Sequence, residues 1–253
     1  MLIDTHAHLY WDSFKPDFDN VIKRSIDAGI STIINIGVDV ETSKKALDQT
    51  KDLFIYSTIG IHPHEALQKN IEKDVEELEK IYLSSPTKIV AVGECGLDYK
   101  DVEKKAKELQ KPLFIAQIKL AKKLNLPLVV HIREAWDEIF ELIGDHPTIL
   151  HCYSGQLPTT NYILQTTNFS VSFAANLTFP KNEYLREAVK LFPLEKILLE
   201  TDSPFLAPQS KRGQRNEPSA VKEIAELIAQ IKGISFDEVA SQTTNNAKGI
   251  FAF

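Results

Sequence analysis

The feature that most constrains the fold is a regular alternation of short apolar runs with longer amphipathic stretches. Short apolar runs bounded by turn residues predict buried strands, whereas apolar residues recurring every three or four positions predict helices. The predicted strands are residues 2–5, 32–36, 55–59, 89–93, 128–131, 148–151, 169–173 and 196–199. The predicted helices are residues 18–28, 43–51, 71–83, 102–124, 135–143, 159–165, 183–191, 219–231 and 236–251.

Eight predicted strands, each followed by a predicted helix, form the pattern of an α/β protein of the (β/α)8 TIM barrel class with an extra C-terminal helix. Ser235 is the expected N-cap of that last helix. The 253 residues are about the length that such a barrel needs. No repeat or linker marks a boundary, so we expect one domain spanning residues 1–253. The alternative, an open doubly wound sheet, would have to explain why the polar residues described next follow so many different strands.

Composition excludes several classes of protein. The net charge of −6, from 35 acidic and 29 basic residues, argues against a protein that coats nucleic acid, although an enzyme could still grip a few phosphates locally. No apolar run has the length of a membrane span, and a strand that starts at Leu2 leaves no room for a signal peptide. Cys95 and Cys152 have neither disulfide-framework nor zinc-finger spacing. We therefore expect a cytoplasmic protein without membrane contact.

Histidines and carboxylates collect where the predicted strands end. In a barrel the carboxyl ends of the strands carry the active site, so these side chains are expected to converge. They are His6 and His8 after strand one, His62 and His64 after strand three, Glu94 after strand four, His131 after strand five, His151 after strand six and Asp202 after strand eight. His146 precedes a strand and is assigned no function.

Imidazole-rich groups with one or two carboxylates suit zinc, manganese, iron or nickel better than calcium or magnesium alone. The donors are numerous enough for two ions, with a carboxylate such as Glu94 able to give one oxygen to each. Paired divalent ions activate water and stabilise both oxygens of a displacement. The residues therefore favour hydrolysis as the reaction class.

Seven segments together resemble one known family, the TatD family of metal-dependent deoxyribonucleases within the amidohydrolase superfamily. Each segment alone is a weak signal, but their order over nearly the whole chain is specific. The segments are DTHAH at 4–8, GIHPH at 60–64, GECGLDY at 93–99, HCYSG at 151–155, SFAAN at 172–176, ETDSPFL at 200–206 and RGQRNEP at 212–218.

The resemblance implies a (β/α)8 barrel with two divalent metal ions in each subunit, of which magnesium, manganese and zinc are the candidates. It implies that His6 and His8 bind one metal, that His131 and His151 bind the second, and that Glu94 bridges them. Asp202 would bind a metal and orient or deprotonate the attacking water. Glu94 and Asp202 are therefore the expected catalytic residues.

Other residues are candidates for substrate contact. His62 and His64 are expected to touch substrate phosphate, with a loop cap as the alternative, and Arg133 is a weaker candidate. Arg215 belongs to a basic loop with Lys211 and Arg212 that is suited to phosphate, or is simply solvated. Three more residues have two open roles each: Glu200, as a metal ligand or a structural partner, and Tyr99 and Tyr153, as stacking surfaces for a nucleobase or as packing residues.

The expected function is hydrolysis of phosphodiester bonds in DNA, from the 3′ end and without a covalent nucleophile. The expected partner is single-stranded DNA or a 3′ end, with no membrane and no obligate protein partner. One alternative is the same scaffold acting on another ester or amide, such as an aminoacyl ester of transfer RNA. The other is a metal-binding module without catalysis.

Overall fold

The computed structural model describes residues 1–51, 54–68 and 70–253, and eight strands lie within them. The strands belong to one sheet whose order follows the chain, which is the topology of the (β/α)8 class. They are β1 Leu2–Ala7, β2 Ile30–Asn35, β3 Ile55–Ile59, β4 Ile89–Asp98, β5 Leu128–Arg133, β6 Thr148–Leu150, β7 Phe169–Phe173 and β8 Ile197–Leu199.

Nine α-helices accompany the strands in the described ranges. They are α1 Phe18–Asp27, α2 Val40–Asp48, α3 Ile71–Ser84, α4 Lys104–Leu124, α5 Trp136–Ile143, α6 Leu157–Leu164, α7 Glu183–Leu191, α8 Val221–Lys232 and α9 Phe236–Phe251. Each corresponds to a predicted helix. Ser235 caps α9 as predicted: its hydroxyl accepts from the Glu238 N–H, and the Glu238 carboxylate accepts from the Ser235 N–H. No helix among the described residues has the combined length and apolar character needed to cross a bilayer.

The chain divides into two compact units, and the first comprises Met1–Asn35 and Cys152–Phe253. In this unit β1 pairs in parallel with β2, and β7 pairs in parallel with β8. The segment that follows β8 also joins β1, through a parallel bridge between Ala7 and Ser203. Helix α9 packs on β1 and β8, and the Thr244 hydroxyl donates to the Met1 carbonyl.

The second unit, Ile36–His151, contains β3 to β6 as consecutive parallel strands with α2 to α5. Strand β4 is buried along its whole length, which is the pattern of a strand covered on both faces. Near its C-terminal end Gly96 has φ +136°, and an added Cβ would clash with the His131 carbonyl oxygen. Only glycine lets β4 approach β5 this closely beside His131.

The boundaries differ from prediction most clearly at two places. Strand β4 continues to Asp98, five residues past the predicted end at Gly93, because glycines and carboxylates are unfavourable in strands and masked the continuation. Helix α2 begins at Val40 rather than at residue 43, because the Asp39 carboxylate accepts a 2.7 Å hydrogen bond from the Thr42 N–H.

Candidate metal-binding clusters

The first cluster consists of His6, His8 and Asp202, all in the first unit. His6 lies near the end of β1 and His8 directly after it, so the spacing of two directs both rings to one side. Their Nε2 atoms are 3.2 Å apart, and the Asp202 Oδ1 atom is 3.4 Å from His8 Nε2 and 3.8 Å from His6 Nε2. Donors bound to one ion at about 2.0–2.2 Å lie about 3.0–3.6 Å from each other. The two distances to His8 fall inside this range and the 3.8 Å distance between His6 and Asp202 lies just above it, so the three donors are close to the spacing around one divalent ion.

Backbone hydrogen bonds fix Asp202 beside the two histidines. The Asp202 N–H donates to the His6 carbonyl at 2.8 Å, and the His8 N–H donates to the Ser203 carbonyl at 2.7 Å. Asp202 itself has φ +56°, a left-handed conformation that is uncommon for residues other than glycine. Strained residues of this kind concentrate at functional sites.

Asp4 links the segment of His6 to the segment of Asp202 through hydrogen bonds to its buried carboxylate. Its carboxylate accepts from the Thr201 N–H at 3.0 Å, from the Thr201 hydroxyl at 2.6 Å and from the His6 N–H at 3.2 Å. The side chain is fully buried, and that burial raises the pKa of Asp4 to about 8 against the lowering effect of these hydrogen bonds. Asp4 thus positions one histidine and the segment that carries Asp202.

Two further groups lie beside the rings of the first cluster. The Tyr10 hydroxyl lies 3.1 Å from Nδ1 of His8, and a Glu200 carboxylate oxygen lies 4.0 Å from Nδ1 of His6. Metal binding through Nε2 requires the proton on Nδ1, where Tyr10 can accept it. Glu200 also accepts 2.6 Å hydrogen bonds from the Cys152 N–H and the Ser172 hydroxyl, so its carboxylate is fixed in place.

The second cluster consists of His62, Glu94, His131 and His151, all in the second unit. One oxygen of Glu94, Oε1, is 3.0 Å from His151 Nε2, 3.1 Å from His131 Nδ1 and 3.4 Å from His62 Nε2. The His131 Nδ1 and His151 Nε2 atoms are 3.3 Å apart. These distances again fit donors around one ion.

The carboxylate and imidazoles of the second cluster shift one another's ionisation. Burial alone would raise the pKa of Glu94, but His151, His62 and His131 outweigh it and hold that pKa well below its usual range. Burial lowers the pKa of His62, against the opposing charge of Glu94. Burial opposes the charged form of His131 too, yet Asp98 and Glu94 raise its pKa. Protons and metal therefore compete at His131.

Asp98 is a further candidate residue of this site that the sequence did not single out. Its Oδ2 atom is 3.1 Å from His131 Nε2 and 2.9 Å from His64 Nε2, and these histidines outweigh burial to lower the pKa of Asp98 to about 2. A histidine that binds metal through one nitrogen commonly donates its other N–H to a carboxylate. The spacing of four from Glu94 on one strand was the available signal.

The remaining predicted contacts lie in different surroundings. His62 is inside the second cluster, whereas the side chain of His64 is 52% exposed and pairs with Asp98. Arg133 ends β5 on the exposed side, next to Asp98 in the strand register. Tyr153 is fully buried against Phe173 and Phe192, which places it in the core.

The structure gives Arg215 a set of protein partners. Its guanidinium contacts Asp17 at 2.7 and 2.9 Å and Glu217 at 2.7 Å, and lies 4.8 Å from the centre of the Phe14 ring. Arg24 contacts the same two carboxylates. We call Asp17, Arg24, Arg215 and Glu217 the four-residue ion network. The carboxylates of Asp17 and Glu217 therefore neutralise the positive charge of Arg215 that was expected to bind phosphate.

Comparisons with known proteins agree with this fold. Residues 3–252 match the family model described as TatD related DNase. A Bacillus subtilis protein named as an uncharacterized metal-dependent hydrolase, YabD, is 39% identical over 99% of both chains. A 3'-5' ssDNA/RNA exonuclease TatD of Erwinia amylovora is 32% identical over 99% of both. The crystal structure of the TatD homologue YJJV of Escherichia coli has a TM-score of 0.92 at 29% identity, covering 100% of this chain and 98% of that one. The predicted (β/α)8 fold class is confirmed.

Proposed function

The chain belongs to the TatD family of metal-dependent hydrolases, and from that membership we propose that it is a nuclease that removes nucleotides from the 3′ end of single-stranded DNA. The Erwinia relative's name, a 3'-5' ssDNA/RNA exonuclease, supports both the bond and the polarity. The observation that carries the proposal is the grouping of imidazole nitrogens and carboxylate oxygens at ligand spacing in both clusters. Imidazole with carboxylate is a donor set for hydrolytic divalent metals.

Two divalent ions would be held, one by His6, His8 and Asp202 and one by Glu94, His131 and His151, with magnesium, manganese or zinc as candidates. His62 is a further donor for the second ion, since its Nε2 atom is 3.4 Å from the shared Glu94 oxygen. Bound divalent ions supply Lewis-acid chemistry, lowering the pKa of water and stabilising charge on phosphate oxygens. That Glu94 bridges a dinuclear centre is part of the proposal and rests on the family resemblance.

The chain's own residues would perform the remaining work. The Asp202 carboxylate, held beside His8 by its backbone hydrogen bonds, is assigned the role of orienting the attacking water and accepting its proton. Tyr10 and Asp98 would each accept a hydrogen bond from one ring nitrogen, of His8 and of His131 respectively. The proton then stays on that nitrogen, and the opposite nitrogen is left unprotonated for the metal. His64 and Arg133 remain proposed substrate contacts, whereas the Arg215 guanidinium is already paired with Asp17 and Glu217.

The test uses metal-stripped enzyme reloaded with magnesium, manganese or zinc, and one single-stranded DNA oligonucleotide labelled at either end. We expect the 5′-labelled strand to give a ladder that shortens from the 3′ end, and the 3′-labelled strand to release mononucleotide from the first time points. Glu94→Ala should abolish both. The matched control is Glu141→Ala, which changes an exposed glutamate of the same unit.

Two results would contradict the proposal. Intact oligonucleotides in the presence of bound metal would show that the site is real and the substrate is not DNA, and panels of other esters and amides would follow. Full activity of Glu94→Ala at equal metal loading would remove the bridging role. The single domain, the cytoplasmic location and the lack of an obligate protein partner also stay proposals, which limited proteolysis, cell fractionation and size-exclusion chromatography test.

A further inference from the structure

Two exposed aromatic side chains lie in contact beside the first cluster. Trp11 is 43% exposed and Phe205 is 44% exposed, and their ring centres are 5.4 Å apart at an interplanar angle of 84°. The Phe205 ring also lies 6.0 Å from that of His8, and Tyr10 stacks on Trp11 at 6.5 Å and 22°. Contiguous exposed apolar surface rimmed by polar side chains is one of the features that mark a binding site, and these rings are contiguous.

Both rings are attached to metal-ligand candidates by short hydrogen-bonded turns. The Trp11 N–H donates to the His8 carbonyl at 3.3 Å, and the Phe205 N–H donates to the Asp202 carbonyl at 2.9 Å. Each aromatic residue is therefore three positions after a donor of the first cluster. The turns fix where the rings stand relative to His8 and Asp202.

The four-residue ion network links the two chain segments to which these rings belong. Trp11 precedes a 3-10 helix at Asp12–Asp17, and Phe205 is in the segment that leads to Arg215. The Arg215 guanidinium donates to the Ser13 carbonyl and to both oxygens of Asp17. Arg215 thus ties the Phe205 segment to the helix that follows Trp11.

We propose that Trp11 and Phe205 form a stacking platform for the nucleobase of the nucleotide whose phosphate reaches the first cluster. The inference rests on the proposed function and names how that site recognises its substrate. A base has an apolar face of about the size of one ring, and stacking tolerates all four bases. Two half-exposed rings offer far less area than the roughly 800 Å² per partner of a stable protein interface, so a base fits this surface better than a protein does.

The first experiment removes one base at a time from the substrate. Oligonucleotides carry an abasic site at the terminal, second or third nucleotide from the 3′ end, and kcat/KM is compared with that of the complete strand. We expect one position to lower the wild-type value by about 5- to 150-fold, the range of a base stacked on an aromatic ring.

The variants decide which residues cause that preference. Trp11→Ala and Phe205→Ala should lower kcat/KM on the complete strand and leave the abasic strand unchanged, so that the preference disappears. Trp11→Phe and Phe205→Tyr keep a ring and should restore most of it, which separates stacking from a folding defect. Tyr162→Ala is the matched control, because Tyr162 is 47% exposed but lies on α6.

A binding measurement gives a readout that does not need turnover. The chain has two tryptophans, so Trp136→Phe leaves Trp11 as the only one. We expect deoxyadenosine monophosphate to quench Trp11 fluorescence and deoxyribose 5-phosphate to leave it unchanged. Phe205→Ala should weaken the quenching.

The outcomes separate this inference from the proposed function. Base-dependent quenching without any phosphodiester hydrolysis would sustain the platform and refute the nuclease. Hydrolysis at equal rates on complete and abasic strands would refute the platform alone. If Trp11→Ala dissociates an oligomer and leaves the base preference intact, the rings serve a contact between copies of the chain, and the platform is again refuted.

Discussion

Asp98 accepts from two histidines at once, and only one of them belongs to the second cluster. Its contact with His131 Nε2 leaves Nδ1 of that ring directed at Glu94 and His151. The Asp98 backbone is in turn fixed by Gln110, whose side-chain amide accepts from the Asp98 N–H and donates to its carbonyl. A buried carboxylate that is held this firmly sets both the orientation and the basicity of the imidazole.

Asp98→Asn should therefore weaken metal binding without removing a ligand. Losing the charge behind His131 makes the ring a poorer donor, and comparable changes lower metal affinity by about 10- to 100-fold. Calorimetric titration of the metal-stripped protein measures the dissociation constant. Asp101→Asn, at an exposed position that already has a positive φ, is the matched control. Equal affinity in Asp98→Asn and wild type would show that the contact is only structural.

For single residues, the sequence predicts the candidate metal ligands better than it predicts the residues that orient those ligands. His6 and His8 were predicted because a spacing of two on a strand places both rings on one side. Asp98 was missed because the strand was expected to end five residues earlier. Arg215 was expected to meet phosphate, but its two carboxylate partners, Asp17 and Glu217, are distant or unremarkable in the sequence, and only the fold brings them together.

Among the elements, the 3-10 helix Asp12–Asp17 has charged contacts at its last residue. It is short, and of its six residues the structure buries only Phe14. The four-residue ion network joins it to α1 and to the loop after β8 through both oxygens of Asp17. Hydrogen bonds from Arg215 and Arg24 hold the pKa of Asp17 below its usual range, and the same arginines outweigh burial to lower the pKa of Glu217.

Removing Arg215 should make the free energy of unfolding change less between pH 7 and pH 3. A carboxyl whose pKa is lower in the folded state stabilises the protein above its unfolded pKa of about 4, and that contribution disappears as pH falls through the folded value. Arg215→Gln should therefore lower the unfolding free energy at pH 7 and have a smaller effect at pH 3. Urea denaturation at the two pH values measures the difference.

The control for this network comes from the same loop. The Arg212 guanidinium lies over the Phe179 ring at 4.6 Å, so Arg212→Gln removes an arginine without touching Asp17 or Glu217. We expect its effect to be the same at both pH values. An Arg215→Gln effect that also stays constant with pH would mean that packing on Phe14, rather than charge, is what Arg215 contributes.

For the whole molecule, alternation of strands and helices was sufficient to predict the class, since every predicted element exists and the strand order follows the chain. The division into two compact units was not predicted, because it depends on contact density and no linker marks it. Each unit contains one cluster whose donors come from separate segments of the chain.

Metal should therefore stabilise the fold as a whole. Binding at a hundredfold excess over the dissociation constant adds about 2.7 kcal/mol, which for a chain of this size raises Tm by roughly 5–10 °C. Thermal melts of metal-stripped and reloaded protein measure the shift. The double variant His8→Gln with Glu94→Gln should show none. A wild-type Tm that is indifferent to metal would contradict binding at both clusters.

The pairing of β1 with the segment after β8 has a consequence for synthesis on the ribosome. His6 and His8 emerge first, whereas Asp202 and its hydrogen bond to the His6 carbonyl become available only after most of the chain has been translated. The Thr244 contact to Met1 forms later still. A nascent polypeptide therefore lacks the complete first cluster until the segment that carries Asp202 has left the ribosome.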